Sequence, residues 1–241
     1  MRYSALYCWI VVTVACIVVA GCAVHVEPEP PRAIITFDYS PPEAMPGSAN
    51  LTFAVVGAEI VGGKYGTPIP LFKTFASNMT KDFAEILTAR GFSVKGPFQD
   101  YDIMTYSDNE GTDLILTAEV EFSSDTTQIR SSSIGRLNGS IIVTCHVNLV
   151  AYESLTRNRL WTKSVAITPI TVELISGNVY PNGASLATLL VNENKFHNDV
   201  GRALEGQYTE VLNRIYGYIE PESMTIVGEA AKKLRNQKIQ Q

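Results

Sequence analysis

"DLILTAEVEF", residues 113–122, alternates with a period of two. Leu114, Leu116, Ala118, Val120 and Phe122 fall on one side, and Thr117, Glu119 and Glu121 on the other. Successive side chains of a strand point to opposite faces, so the stretch reads as a strand with one buried face and one wet face. Its neighbours supply a cover for the buried face. Residues 71–90 place Phe72, Phe75, Met79, Phe83, Ile86 and Leu87 on one side at spacings of 3, 4, 4, 3 and 1, the repeat of an amphipathic helix. Gly91 follows and suits the left-handed position that stops a helix. "GFSV" (91–94) then restarts an extended segment.

Downstream, "GSIIVTCHVNLVAYES" (139–154) reads as a long strand, and 159–167 as its hairpin partner across a Leu-Thr-Arg-Asn turn. Upstream, "AIITFDY" (33–39) is a short strand ended by Ser-Pro-Pro, and "LTFAVVGAEI" (51–60) a second, mostly apolar one. Residues 168–185 are ambiguous. From about Asn198 a second long helix carries Val200, Leu204, Tyr208, Val211, Ile215 and Ile219 on one face. Pro221 breaks it and a third helix begins. The expected fold is α+β: a mostly antiparallel sheet with two long helices packed on one face and a C-terminal amphipathic helix.

The chain has 241 residues, 46% hydrophobic and 18% charged, an ordinary globular composition. The formal charge is −5, and no basic run precedes the last ten residues, so nucleic-acid binding is not expected. Cys8, Cys16 and Cys22 lie in or just after an N-terminal apolar stretch, leaving Cys145 alone in the body. That excludes a disulfide within the body and a cysteine-based zinc site.

The N-terminus locates the protein. Residues 5–21 are almost all apolar, Arg2 precedes them, and no basic flank follows. The run falls short of the roughly 20 residues of a membrane span, and it reads as a secretory signal peptide. Val19-Ala20-Gly21-Cys22 resembles the bacterial lipobox, in which cleavage precedes a cysteine whose sulfur has received a diacylglyceryl group. A further N-acyl chain then gives stable anchoring. Ala23 in place of Asp favours the outer membrane. The expected organisation is residues 1–21 as lipoprotein signal peptide, 22–32 as a Pro-rich tether, 33–220 as the α+β envelope domain and 221–241 as the C-terminal amphipathic helix.

No pattern of residues announces a reaction. "GAEIVGGKYG" (57–66) fails as a phosphate loop: its spacing to Gly63-Lys64 is one residue too long, and Tyr65 stands where Ser or Thr belongs. Cys145 and His146 are strand neighbours and point to opposite faces, Cys145 with Ile141, Val143, Val147 and Leu149. His25 lies in the tether without a second ligand nearby. His197, beside Asn198 and Asp199, reads as exposed or as a local capping contact. Glu119 and Glu121 share a solvated strand face. The expectation is a non-enzyme with no cofactor and no metal. The C-terminal helix lines Met224, Val227, Ala231 and Leu234 on one side and gathers Lys232, Lys233, Arg235 and Lys238 near its end. The dipole accounts for those cations, and a basic amphipathic helix also suits a membrane surface or a partner.

The order of segments resembles a known family. A lipobox leads to Tyr39-Ser-Pro, then to the helix of Met79–Leu87 running into Arg90-Gly91-Phe92-Ser93-Val94. The strand Asp113–Phe122 follows, then the hairpin built on Gly139-Ser-Ile-Ile-Val and a helical tail with Glu229-Ala-Ala-Lys-Lys-Leu. This is similar to the neuraminyllactose-binding hemagglutinin (HpaA-like) outer-membrane lipoproteins. The resemblance implies a lipoprotein at the cell surface or on the periplasmic face, named for adhesion to sialylated glycans. The region matching the family's proposed glycan contact is Thr126–Ser133, where Arg130 is the one charged residue and a carboxylated sugar calls for Arg or Lys donors. The expected function is therefore that of a lipid-anchored, non-enzymatic binding protein, a surface adhesin or antigen whose partners are the outer membrane, through Cys22, and a host glycan or an envelope protein complex. The alternative is a scaffold subunit of a trans-envelope assembly such as a secretion-system core.

Overall fold

The helix expected over 71–90 forms as α1 (Pro70–Ala89). Proline at the first helical position needs no donor there. Phe72, Phe75, Met79, Phe83, Ile86 and Leu87 are all buried. The stop is a Schellman turn: Phe92 N donates to Leu87 O at 3.1 Å and Gly91 N to Thr88 O at 2.9 Å, with Gly91 at φ 83°. The structure, a computed structural model, describes residues 30–42, 50–61, 69–125, 130–131, 137–174 and 193–239. Arg32–Gln241 forms one compact unit and Met1–Pro31 another, of which only residues 30 and 31 are described.

The strands are β1 (Thr52–Val56), β2 (Glu59–Ile60), β3 (Ser93–Phe98), β4 (Leu114–Asp125), β5 (Arg130–Ser131), β6 (Leu137–Glu153) and β7 (Arg159–Leu174). The helices besides α1 are α2 (Tyr106–Glu110), α3 (Glu193–Tyr218) and α4 (Pro221–Ile239). β4 pairs with β6 along its whole length, and β1 and β2 take its other side. β3 lies beyond β1, and β7 beyond β6.

The sheet is mixed rather than purely antiparallel, with most of its paired length antiparallel as expected. β1 runs parallel to both β3 and β4, and β2 is parallel to β4. Antiparallel pairing is confined to β4–β6, β5–β6 and β6–β7. The cause is the 20-residue helix between β1 and β3. A strand that returns through a helix returns parallel, whereas one that returns through a tight turn returns antiparallel.

One core joins the layers. Phe72 of α1 stacks on Phe122 of β4 at 3.7 Å between centroids, and Phe75 meets both Phe122 and Tyr208 of α3 edge-on. Met224 and Ala231 of α4 are fully buried in the same core. α4 approaches closely at Gly228, where an added Cβ would lie 2.3 Å from Leu51 Cδ2. On the opposite sheet face a smaller cluster gathers Ala54, Val56, Met104 and Ile115, flanked by Phe98, Tyr101 and Tyr152.

Residues 33–39 differ from the expected strand. Phe37 and Tyr39 are buried alternately, as the pattern implied, but the segment joins no sheet. Its backbone is satisfied by side chains of α3: Ala33 N donates to Asn198 Oδ1, and Thr36 N to Glu205 Oε1. β7 runs on to Leu174, through Pro169. Thr168 and Pro169 together oppose the single residue Thr144 of β6 in a bulge. There the Gln207 amide of α3 accepts from Thr168 N at 2.8 Å and donates to Thr168 O at 3.4 Å. No described strand pairs with the far side of β7.

Candidate functional site

Lipidation at Cys22 falls outside the described residues, as do the 1–21 segment, His25 and most of the 22–32 tether. Of Thr126–Ser133, only Arg130–Ser131 is described, as the backbone of β5.

The remaining reactive side chains do not converge. Cys145 is 1% exposed on the core face of β6, and desolvation by burial pushes its thiol well above the ordinary range. His146 is on the other face, exposed, opposite Glu121 of β4. Glu119 is engaged by Arg159 at 2.5 Å. His197 is part-buried within the first turns of α3, which begins at Glu193, earlier than expected. Its Nε2 faces Ala33 O at 3.2 Å, and Arg32 approaches Nδ1 at 3.0 Å. Burial, followed by the Arg32 charge, pushes the imidazole below its ordinary value. Among the described residues, no group of three or more His, Cys, Asp or Glu side chains could hold a metal ion.

Two buried polar pairs had no local sequence signal. Tyr208 Oη donates to Asp82 Oδ2 at 2.5 Å, linking α3 to α1 inside the core. Burial outweighs that bond and pushes the Asp82 carboxyl up to about 6. The second pair docks α4. Arg235 donates to Glu153 Oε1 through Nε at 3.0 Å and Nη2 at 2.9 Å, and Nη2 also reaches Thr112 O and Ser154 Oγ. Glu153, at the end of β6, is 0% exposed. Burial pushes its carboxyl up, but hydrogen bonds from Thr156, Arg235 and Leu155 together hold it below the ordinary value. Lys232 pairs with Asp113 at 3.4 Å. Met224 and Ala231 of α4 and two of its cations, Lys232 and Arg235, are thus engaged with the domain itself.

Local order in 99–112 comes from a capping box that the sequence does carry. Thr105 Oγ1 accepts from Asp108 N at 3.1 Å while Asp108 Oδ2 accepts from Thr105 N at 2.9 Å, opening α2. Thr-x-x-Asp at 105–108 was the available signal.

A concave site lies at the carboxyl ends of β1 and β3, where open α/β sheets hold ligands. This cleft of about 570 Å³ is bounded by Lys73, Ala76, Ser77, Thr80 and Lys81 of α1. Gly57, Ala58 and Ile60 form its floor, and Pro97, Phe98 and Gln99 its far wall. Thr80 Oγ1 accepts from Ala58 N at 2.9 Å and donates to Ala76 O at 3.0 Å, tying the floor to the helix. Such a volume lies within the range of small-molecule pockets, roughly 300–1,000 Å³.

The fold and these surfaces define a mixed α/β domain with a cleft at the strand ends and buried polar ties between its elements. No protein-family model matches the sequence. No curated protein sequence matches it either. Among solved structures, a neuraminyllactose-binding hemagglutinin homologue from Helicobacter pylori is similar at a TM-score of 0.59 and 13% identity, over 83% of this chain and all of that one (100%). That likeness shows a shared fold. A Xanthomonas campestris protein matches at a TM-score of 0.32 and 13% identity, over 83% of this chain and 97% of the other. A lipoprotein from Neisseria meningitidis matches at 0.28 and 12%, over 63% and 99%. Those two scores are too low to carry an argument. No helix of the described residues is long and apolar enough to cross a membrane.

Proposed function

We propose that this chain is a lipid-anchored outer-membrane lipoprotein acting as a non-enzymatic binding protein, a surface adhesin or antigen of the HpaA-like kind. One observation carries the reading: the apolar run that ends in Val19-Ala20-Gly21-Cys22 and passes directly into a Pro-rich acidic tether. The fold shared with the Helicobacter pylori homologue supports it. The proposal does not extend to a sialylated glycan, because Arg130 is the single charged residue in Thr126–Ser133.

Cells fed labelled palmitate should yield labelled full-length chain in the outer-membrane fraction, and Cys22→Ser should lose both the label and the membrane. A wild-type chain without label, or a Cys22→Ser chain that stays membrane-bound, would overturn the anchor. Protease treatment of intact cells then separates the two binding roles. Degradation supports the surface adhesin, and protection supports a scaffold within the envelope.

A further inference from the structure

The cleft at the ends of β1 and β3 has a one-sided charge in a chain that is acidic overall. Lys73, Ser77 and Lys81 recur every four residues, so they stand in one row along α1. Among the described residues neither lysine has an ion-pair partner, whereas Lys195 of α3 and Lys232 of α4 pair with Asp199 and Asp113. No carboxylate lines the cleft among the described residues. A concave site with one sign of charge focuses the field and concentrates a ligand of the opposite sign. Lysine ammonium groups are compact point charges on flexible stems, and as point charges they commonly bind phosphate. Between the two lysines, Ser77 adds a hydroxyl donor. The floor and far wall are of another character, with Ala58, Ile60, Pro97 and Phe98 presenting carbon.

We propose that this cleft binds a phosphate-bearing ligand with an apolar body, the phosphate held along the Lys73–Ser77–Lys81 row and the apolar part resting on Ala58, Ile60 and Phe98. The site is independent of Cys22, so it stands or falls separately from the membrane anchor. A soluble phosphomonoester and a lipid headgroup offer the same chemistry, and the test separates them.

The full chain carrying Cys22→Ser is titrated with phenyl phosphate and with inorganic phosphate, following the backbone amides of Ala58, Ser77 and Gln99 by NMR. It is also floated with vesicles of phosphatidylglycerol or of phosphatidylcholine alone. Phenyl phosphate should bind saturably and more tightly than inorganic phosphate, moving those amides. The Lys73→Gln/Lys81→Gln pair should weaken binding about tenfold or more, and Lys233→Gln, which removes an exposed charge elsewhere, should leave it unchanged. Flotation with phosphatidylglycerol only, lost in the double lysine variant, assigns the headgroup. Phenyl phosphate binding without flotation assigns a soluble ligand. The proposal is overturned if neither probe binds saturably at about 1 mM, or if Lys233→Gln weakens binding as much as the cleft variants do. Both cleft lysines are exposed, so the variants should unfold within about 0.5 kcal/mol of the wild type, which a urea curve checks.

Discussion

Replacing Arg235 with Met tests how α4 is held. Methionine keeps the helix propensity and most of the stem, and removes only the guanidinium. Arg235 then abandons Glu153 Oε1, which it contacts twice at 3.0 and 2.9 Å, together with Thr112 O at 2.7 Å and Ser154 Oγ at 2.8 Å. Glu153 is 0% exposed, so its charge has no water to fall back on. Removing one partner of a buried pair costs about 3–5 kcal/mol. Here the lower end applies, about 3 kcal/mol, because Glu153 Oε2 still accepts from Leu155 N at 3.1 Å and Thr156 N at 2.6 Å. Domains of this kind hold roughly 5–15 kcal/mol in all, so the variant should fold with a much reduced urea midpoint. Neutralising the orphaned charge should then help. Glu153→Gln/Arg235→Met should recover part of the loss, since a glutamine oxygen still accepts from the two turn amides. The assay is equilibrium urea unfolding of the full chain, followed by fluorescence and by far-ultraviolet circular dichroism. A loss below about 1 kcal/mol in Arg235→Met, or a double variant no better than the single one, would refute the reasoning.

Asp82→Asn should change the pH dependence of stability. The folded-state pKa of Asp82 is raised from 3.8 to about 6, so its stabilising contribution is complete below the ordinary carboxylate range and is lost as pH rises through about 6. The asparagine variant, whose oxygen still accepts from Tyr208, should be more stable than the wild type above that window, by on the order of 1 kcal/mol, and the gap should close near pH 4 in urea curves. Gly228→Ala and Gly206→Ala should differ in sign. The first drives a methyl into Leu51 and should cost about 1–2 kcal/mol net of the gain in helix propensity, whereas the second meets nothing within 4 Å and should gain about 0.5–1 kcal/mol in thermal melts. Cys145 should resist a thiol reagent in a chain with Cys8, Cys16 and Cys22 all replaced by Ser until denaturant is added, because it is 1% exposed and its thiolate is disfavoured.

The elements that were legible in the sequence carry their cause locally. α1 shows a continuous apolar stripe and a glycine stop, and β4 alternates without a break. α3 begins earlier than its stripe does, because Glu193–Asp199 is polar apart from Phe196 and offers no period to read. The readable strand pattern of 159–167 stops short of Pro169, which β7 accommodates within a bulge before continuing to Leu174. Residues 33–39 alternate as a strand does, but alternation reports a half-buried extended chain and is silent on whether another strand pairs with it. The parallel β1–β3 pair is implicit in the order strand, helix, strand, whereas the antiparallel pairs follow from the β6–β7 hairpin turn. Asp82–Tyr208 and Glu153–Arg235 join residues 126 and 82 positions apart, so no local pattern marks them. The cleft is likewise assembled from three separate segments, none of which stands out alone.

The Gln207 amide that occupies the bulge of β7 has a consequence for neighbouring molecules. Under the anchored reading, copies share one plane and one orientation, so their sheet margins meet repeatedly at high local density. A 16-residue margin with no partner strand among the described residues would otherwise invite runaway stacking. By presenting a side-chain amide to both the N–H and the C=O of Thr168, beside a proline that has no hydrogen to give, the chain caps its own template at the middle. Crowding on a surface then remains compatible with separate, individually folded molecules.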